Sequence, residues 1–141
     1  MTSVSKRKLL ISSSIISLVI ILDQTTKILA QSYFGYVCNQ GIAFGIKLGN
    51  SSLGFERFFV IAVVILLAII FAGFVCEGQN LRKLSLAFIL GGGVSNLLDR
   101  ILFGCVRDFL NFGLISSFNL ADSTIMIGVL VMIYSLVKRK L

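Results

Sequence analysis

The sequence has no histidine and no proline, and only 13% of its 141 residues are charged. Each scarcity excludes something. Without histidine there is no Ser-His or Cys-His nucleophilic pair, no HExxH zinc helix and no imidazole proton shuttle. Without proline no helix is expected to carry a proline kink. The cysteines Cys38, Cys76 and Cys105 form no CxxC, so a cysteine metal site or disulfide framework is unsupported. Disorder needs high charge with low hydrophobicity, and this chain has the opposite.

What is abundant is apolar: 57% of the residues are hydrophobic, and the mean hydropathy is +0.99. Soluble domains average about 45–50% apolar and about 25% charged. The length fits one membrane-embedded domain over residues 1–141, with room for four spans of about 20 residues. The runs 9–29, 58–76, 84–103 and 120–137 supply them. The first is about 31 Å long as a helix, enough to cross a bilayer core. Its basic start resembles a signal peptide, but Asp23 and Lys27 stand where a small-residue cleavage region belongs. It reads as a retained anchor.

The net charge of +7 does not point to nucleic acid. Six of the thirteen basic residues lie in Lys6-Arg7-Lys8 and Lys138-Arg139-Lys140, each abutting an apolar run. With both termini cytoplasmic, these six and Arg82-Lys83 make eight basic residues inside, as the positive-inside rule requires. The segments 31–57 and 104–119 then face the exported side. In the first, Ile42, Phe44, Ile46 and Leu48 alternate with smaller or polar residues, which reads as a short strand or as an irregular loop. The expected fold is an all-α polytopic membrane protein with four transmembrane helices and a small β element on the exported side.

This topology gathers the acids. Of six acidic residues, Asp23, Asp99, Asp108 and Asp122 reach the exported ends of the spans, beside Lys27, Asn39, Asn96, Arg100 and Asn119. A charge at the bilayer centre costs about 2.5–3.5 kcal/mol, less at the interface, and such residues mark functional sites by default. Plainer accounts exist for several. Asp23 and Lys27 share a helix face as an i,i+4 ion pair. Asp122 stands where a carboxylate caps a helix start. Asp99 and Arg100 fit a snorkelling interfacial pair. Asp108, in the apolar stretch 106–112, has no such account.

With no histidine, two aspartates are the best catalytic set available. A close pair shares one proton, because both cannot easily ionise. One member takes a proton from water while the other polarises a carbonyl and later protonates the leaving amine. A Ser-Lys dyad of Lys27 with Ser116, Ser117 or Ser123 is a rival that no spacing singles out.

Five ordered motifs then carry a resemblance over nearly the whole chain: Asp23-Gln24-Thr25-Thr26-Lys27, Asn39-Gln40-Gly41-Ile42-Ala43-Phe44, Gly91 to Arg100 (GGGVSNLLDR), Gly104 to Phe109 (GCVRDF) and Phe118-Asn119-Leu120-Ala121-Asp122. The chain resembles the lipoprotein signal peptidases (signal peptidase II). The resemblance implies an aspartic endopeptidase of the bacterial inner membrane. Its substrate would be a diacylglyceryl-modified prolipoprotein, cut just before the lipid-bearing Cys. It implies Asp108 and Asp122 as the catalytic pair, with Asn39, Asn96, Asp99, Arg100 and Asn119 lining the site and Asp23 and Lys27 supporting it. Partners would be prolipoproteins, membrane lipids and globomycin-type inhibitors, with no metal or other cofactor and no nucleic acid. Ser95 and Ile42 depart from the family pattern, and are expected to alter packing only. Cys38 and Cys105 are expected to be unreactive small apolar residues. The alternative function is a small ion-coupled transporter or channel subunit, which would need an ionisable path near mid-membrane.

Overall fold

The computed structural model describes residues 3–40, 63, 80–111, 113 and 117–138. Among these residues five elements follow in order: helix α1 (Ser3–Tyr33), strand β1 (Val37–Asn39), helix α2 (Asn80–Phe103), strand β2 (Val106–Asp108) and helix α3 (Leu120–Lys138). Among the described residues, three helices are long and apolar enough to cross a membrane, and they match the expected first, third and fourth spans. The expected second span, 58–76, and the expected strand at Ile42–Leu48 lie outside the described residues, save for Val63, which is helical.

Contacts fix the helix directions. Gln24 and Lys27 of α1 reach Ser95, Asn96 and Asp99 of α2, while Val19 faces Gly91. α1 and α2 therefore run parallel, and their C-terminal ends meet. α3 runs the other way: its start at Ala121 lies on Gly92, and Gly128 lies on Ser85 near the start of α2. Small residues allow this closeness, since packing and not hydrophobic expulsion joins helices in lipid. A Cβ at Gly92 would stand 2.5 Å from the Ala121 carbonyl oxygen, and one at Gly91 2.8 Å from Val19 Cβ.

The interior is polar and the exterior apolar. Leu86, Ala87 and Leu90, flanked by Ile15, Ile16 and Met132, form a small apolar core. Among the described residues, the largest fully buried side chains are instead Arg107, Lys27, Asn119, Asp23, Asp99 and Asp108. Leu10, Leu18, Ile21, Leu102, Leu130 and Ile133 point outward. This is the sorting expected where the surroundings are hydrocarbon and polar groups must find partners inside.

Gly104, at φ +76°, ends α2 with its N–H on the Arg100 carbonyl at 3.1 Å and turns the chain into β2. β2 pairs antiparallel with β1, with Val37 opposite Asp108, Cys38 opposite Arg107 and Asn39 opposite Val106. Because side chains alternate along a strand, Asn39 and Asp108 share one face, while Cys38, Cys105 and Arg107 share the other. On that second face Cys38 and Cys105 form a disulfide, with Cα atoms 5.5 Å apart. This corrects the expectation of two unreactive thiols: antiparallel pairing joins residues 67 apart in sequence, which no cysteine spacing announces. After β2 the chain folds back, with Leu110 and Phe118 exchanging backbone bonds of 2.9 and 3.0 Å. That closure delivers Asn119 and the start of α3 to Asp108.

Candidate active site

The site is built on the first turn of α3. Helix starts leave N–H groups without intrahelical partners. Asn119 Oδ1 accepts from the Asp122 N–H at 2.9 Å, and Asp122 Oδ2 accepts from the Asn119 N–H at 3.2 Å. This reciprocal pair is a capping box. The Ala121 N–H donates to Asp23 Oδ1 at 2.7 Å, which ties α3 to α1. The capping role open to Asp122 is thus filled, and its other oxygen remains for the site. Asp122 Oδ1 accepts from Asn96 Nδ2 at 2.8 Å.

Lys27 organises the interior. Its ammonium has three donors, and all three are used: Asp23 Oδ2 at 2.7 Å, Asp99 Oδ2 at 3.3 Å and Asn96 Oδ1 at 2.9 Å. The local ion pair with Asp23 is present and is only one of its contacts. Lys27, Asp23 and Asp99 are all fully buried. The snorkelling account paired Asp99 with its neighbour Arg100; in the fold Asp99 forms ion pairs with Lys27 and Arg107. Arg100 is buried and bonds back along its own helix, Nη1 to the Asn96 carbonyl at 3.4 Å.

Asp108 comes in from β2. Asn39 Nδ2 donates to its Oδ2 at 2.9 Å, and Asn119 Nδ2 donates to its Oδ1 at 2.7 Å. Asn119 Nδ2 also reaches Asn96 Oδ1 at 3.1 Å. Asn119 and Asn96 therefore link Asp108 to Asp122. Burial pushes the Asp108 carboxyl up to about 6, and the charge of Asp122 adds to the rise, while Asn39, Asn119 and Lys27 pull it down. A carboxyl raised toward neutrality, beside a second carboxylate, can exchange protons with a substrate and a water. Among the described residues no three Cys, Asp or Glu side chains converge as metal ligands.

All nine residues singled out in the sequence lie in or against this cluster. Among the described residues, four participants escaped that reading: Gln24, Gln31, Ser95 and Arg107. Ser95 Oγ donates to Asp23 Oδ2 at 2.7 Å and accepts from Gln24 Nε2 at 3.0 Å. Its departure from the family pattern is therefore not a matter of packing alone. Gln24 Nε2 also donates to Asp99 Oδ1 at 3.0 Å. Arg107 was legible only as an arginine in an apolar stretch beside Asp108.

The signal peptidase (SPase) II family profile matches residues 15–138. The chain belongs to the signal peptidase II family. A lipoprotein signal peptidase of Halothermothrix orenii is 36% identical over 134 residues, covering 84% of this chain and 90% of that one. One from Burkholderia multivorans is 39% identical over 145 residues, covering 88% and 86%. Among solved structures, a bacterial membrane enzyme determined by the in meso method superposes with a TM-score of 0.74 at 26% identity, covering 92% of this chain and 88% of that one. The protein is a membrane protease by family, and transport, the alternative function, finds no support. Asp23, Asp99, Asp108 and Asp122 lie in one hydrogen-bonded cluster where the ends of α1 and α2 meet the start of α3, and do not line a path along the helices.

Proposed function

We propose that this signal peptidase II removes the signal peptide from diacylglyceryl-modified prolipoproteins by aspartic chemistry, with Asp108 and Asp122 as the catalytic pair. The observation that carries the reading is the meeting of these two carboxylates, from different elements, around the amides of Asn119 and Asn96. Asp108 holds the proton, and Asp122 is the base. Asp122 takes a proton from water as the hydroxyl adds to the scissile carbonyl carbon, and Asp108 gives its proton to the carbonyl oxygen. As the gem-diol collapses and the C–N bond breaks, Asp122 gives the proton it took from water to the departing nitrogen, and Asp108 takes a hydroxyl proton back from the gem-diol. The products are a signal peptide carboxylate and a free α-amine on the lipid-bearing Cys. Asn39, Asn96 and Asn119 hold the carboxylates, Asp23, Lys27 and Asp99 hold the amides and helix ends, and Arg100 lies against the same cluster.

The described elements serve one site, and we read the chain as a single peptidase domain of the bacterial inner membrane. The basic clusters at both termini favour a cytoplasmic location for them. The site then lies at the exported end, where a lipid-held scissile bond and water meet. Membrane lipids and globomycin-type inhibitors belong to this reading as partners of the cleft. The test is cleavage of a diacylglyceryl-modified prolipoprotein by Asp108→Asn and Asp122→Asn. Each should lose at least about a hundredfold in rate, the lower range for general acid–base groups, while the protein still inserts and folds. Parental cleavage by Asp108→Asn would overturn the assignment.

A further inference from the structure

Arg107 lies one residue before Asp108 in β2 and is 2% exposed. It points away from the pair, to the opposite face of the strand. Its guanidinium donates Nη2 to Asp99 Oδ1 at 2.8 Å and Nε to Asp99 Oδ2 at 3.2 Å. Nη2 also reaches Gln24 Oε1 at 2.9 Å, and Nη1 reaches Gln31 Oε1 at 3.3 Å. Its backbone N–H adds a bond to Asp99 Oδ2 at 2.9 Å. The Phe103 ring packs with its centroid 4.2 Å from the guanidinium carbon. One side chain thus fastens the strand to two residues of α1 and two of α2. A planar, bidentate donor with fixed geometry does this, and an ammonium cannot reproduce it.

The contacts continue beyond Arg107. Asp99 is shared with Lys27, Lys27 donates to Asn96, and Asn96 donates to Asp122. Arg107 is thus joined to Asp108 by the backbone and to Asp122 by a buried chain of ion pairs and hydrogen bonds. We propose that Arg107 is a positioning residue, which sets the placement of Asp108 against Asp122 from behind the site. The proposal rests on these two aspartates being the catalytic pair. The charged groups facing this network are Asp23 and Lys27 from α1, Asp99 and Arg100 from α2, and Asp122 from α3.

The test compares Arg107→Gln and Arg107→Lys with the parent enzyme, using a diacylglyceryl-modified prolipoprotein and counting active sites by globomycin titration. Misplacement of reacting groups by about 1 Å costs up to about a hundredfold. Arg107→Gln should lower kcat about tenfold to a hundredfold per titrated site, with KM within about twofold. Arg107→Lys, which keeps the charge but not the fork, should recover part of the loss. The basic limb of the pH profile should rise in Arg107→Gln and stay in place in Arg107→Lys, because only the first removes a cation. A parental kcat per titrated site in Arg107→Gln would overturn the proposal, as would an unmoved pH profile. If Arg107→Gln does not fold, Asp99→Asn/Arg107→Gln removes both charges together, and a parental kcat in that double variant overturns it equally. Asp108→Asn run alongside separates the two readings. Its inactivity beside a parental Arg107→Gln sinks the positioning role alone, whereas its activity sinks the catalytic pair.

Discussion

Asn39 offers a quantitative handle on the proton held by Asp108. Its Nδ2 donates to Asp108 Oδ2 at 2.9 Å, and a donor to a carboxylate favours the ionised form. Asn39→Ala removes that preference, so Asp108 should hold its proton to higher pH. Hydrogen bonds to charged groups contribute about 1.5–3 kcal/mol, and one pH unit corresponds to about 1.4 kcal/mol. Asn39 is half-buried, so water replaces part of the bond in the variant, and the lower end applies. Asp108 should therefore move from about 6 to about 7. The proposed mechanism needs Asp108 protonated, so activity falls as pH rises through its pKa. The kcat/KM profile reports groups of the free enzyme, and its basic limb should move up by about one unit in Asn39→Ala. The assay is cleavage of a lipid-modified prolipoprotein from about pH 4 to 9, with the bell-shaped profile of a shared proton expected in the parent. A basic limb that stays in place or moves down would refute the role given to this bond.

Two further outcomes concern the scaffold. Cys38→Ser/Cys105→Ser, or reductant on the parent, opens a loop closed across 67 residues, worth up to about 4 kcal/mol by loop-closure entropy. Thermal unfolding in detergent should drop accordingly, and no drop would mean that the bridge constrains nothing. Gly92→Ala places a methyl 2.5 Å from the Ala121 carbonyl, so α3 must shift at the residue before Asp122. A loss of about 1–3 kcal/mol is expected for such overpacking, together with reduced cleavage, and a parental melting temperature would contradict the close approach.

The local order of the chain was legible because hydrophobic runs and motifs are local properties. Leu9–Leu29, Leu84–Phe103 and Leu120–Val137 announced α1, α2 and α3 by length and hydropathy alone. The motif aspartates and asparagines announced a site at one end, since the alternation of basic flanks places them at a common depth. A capping role was legible for Asp122, while Asn119 as its reciprocal partner emerged only in the fold. The strands were not legible: β1 and β2 are three residues each, too short for a period of two to show, and they exist because they pair with each other.

The sequence by itself determined a histidine-free membrane protein whose acids gather at one end, and with that the choice of carboxylate chemistry. Only the tertiary structure decided the rest. It joined Cys38 to Cys105, turned Asp99 toward Arg107 and Lys27, and gave Ser95 a hydrogen-bonding role. It also placed Asn39 and Asn119 on the two oxygens of Asp108. The reason is that a buried charge must be matched by partners. In a bundle those partners come from other helices and strands, at separations that composition and periodicity do not encode.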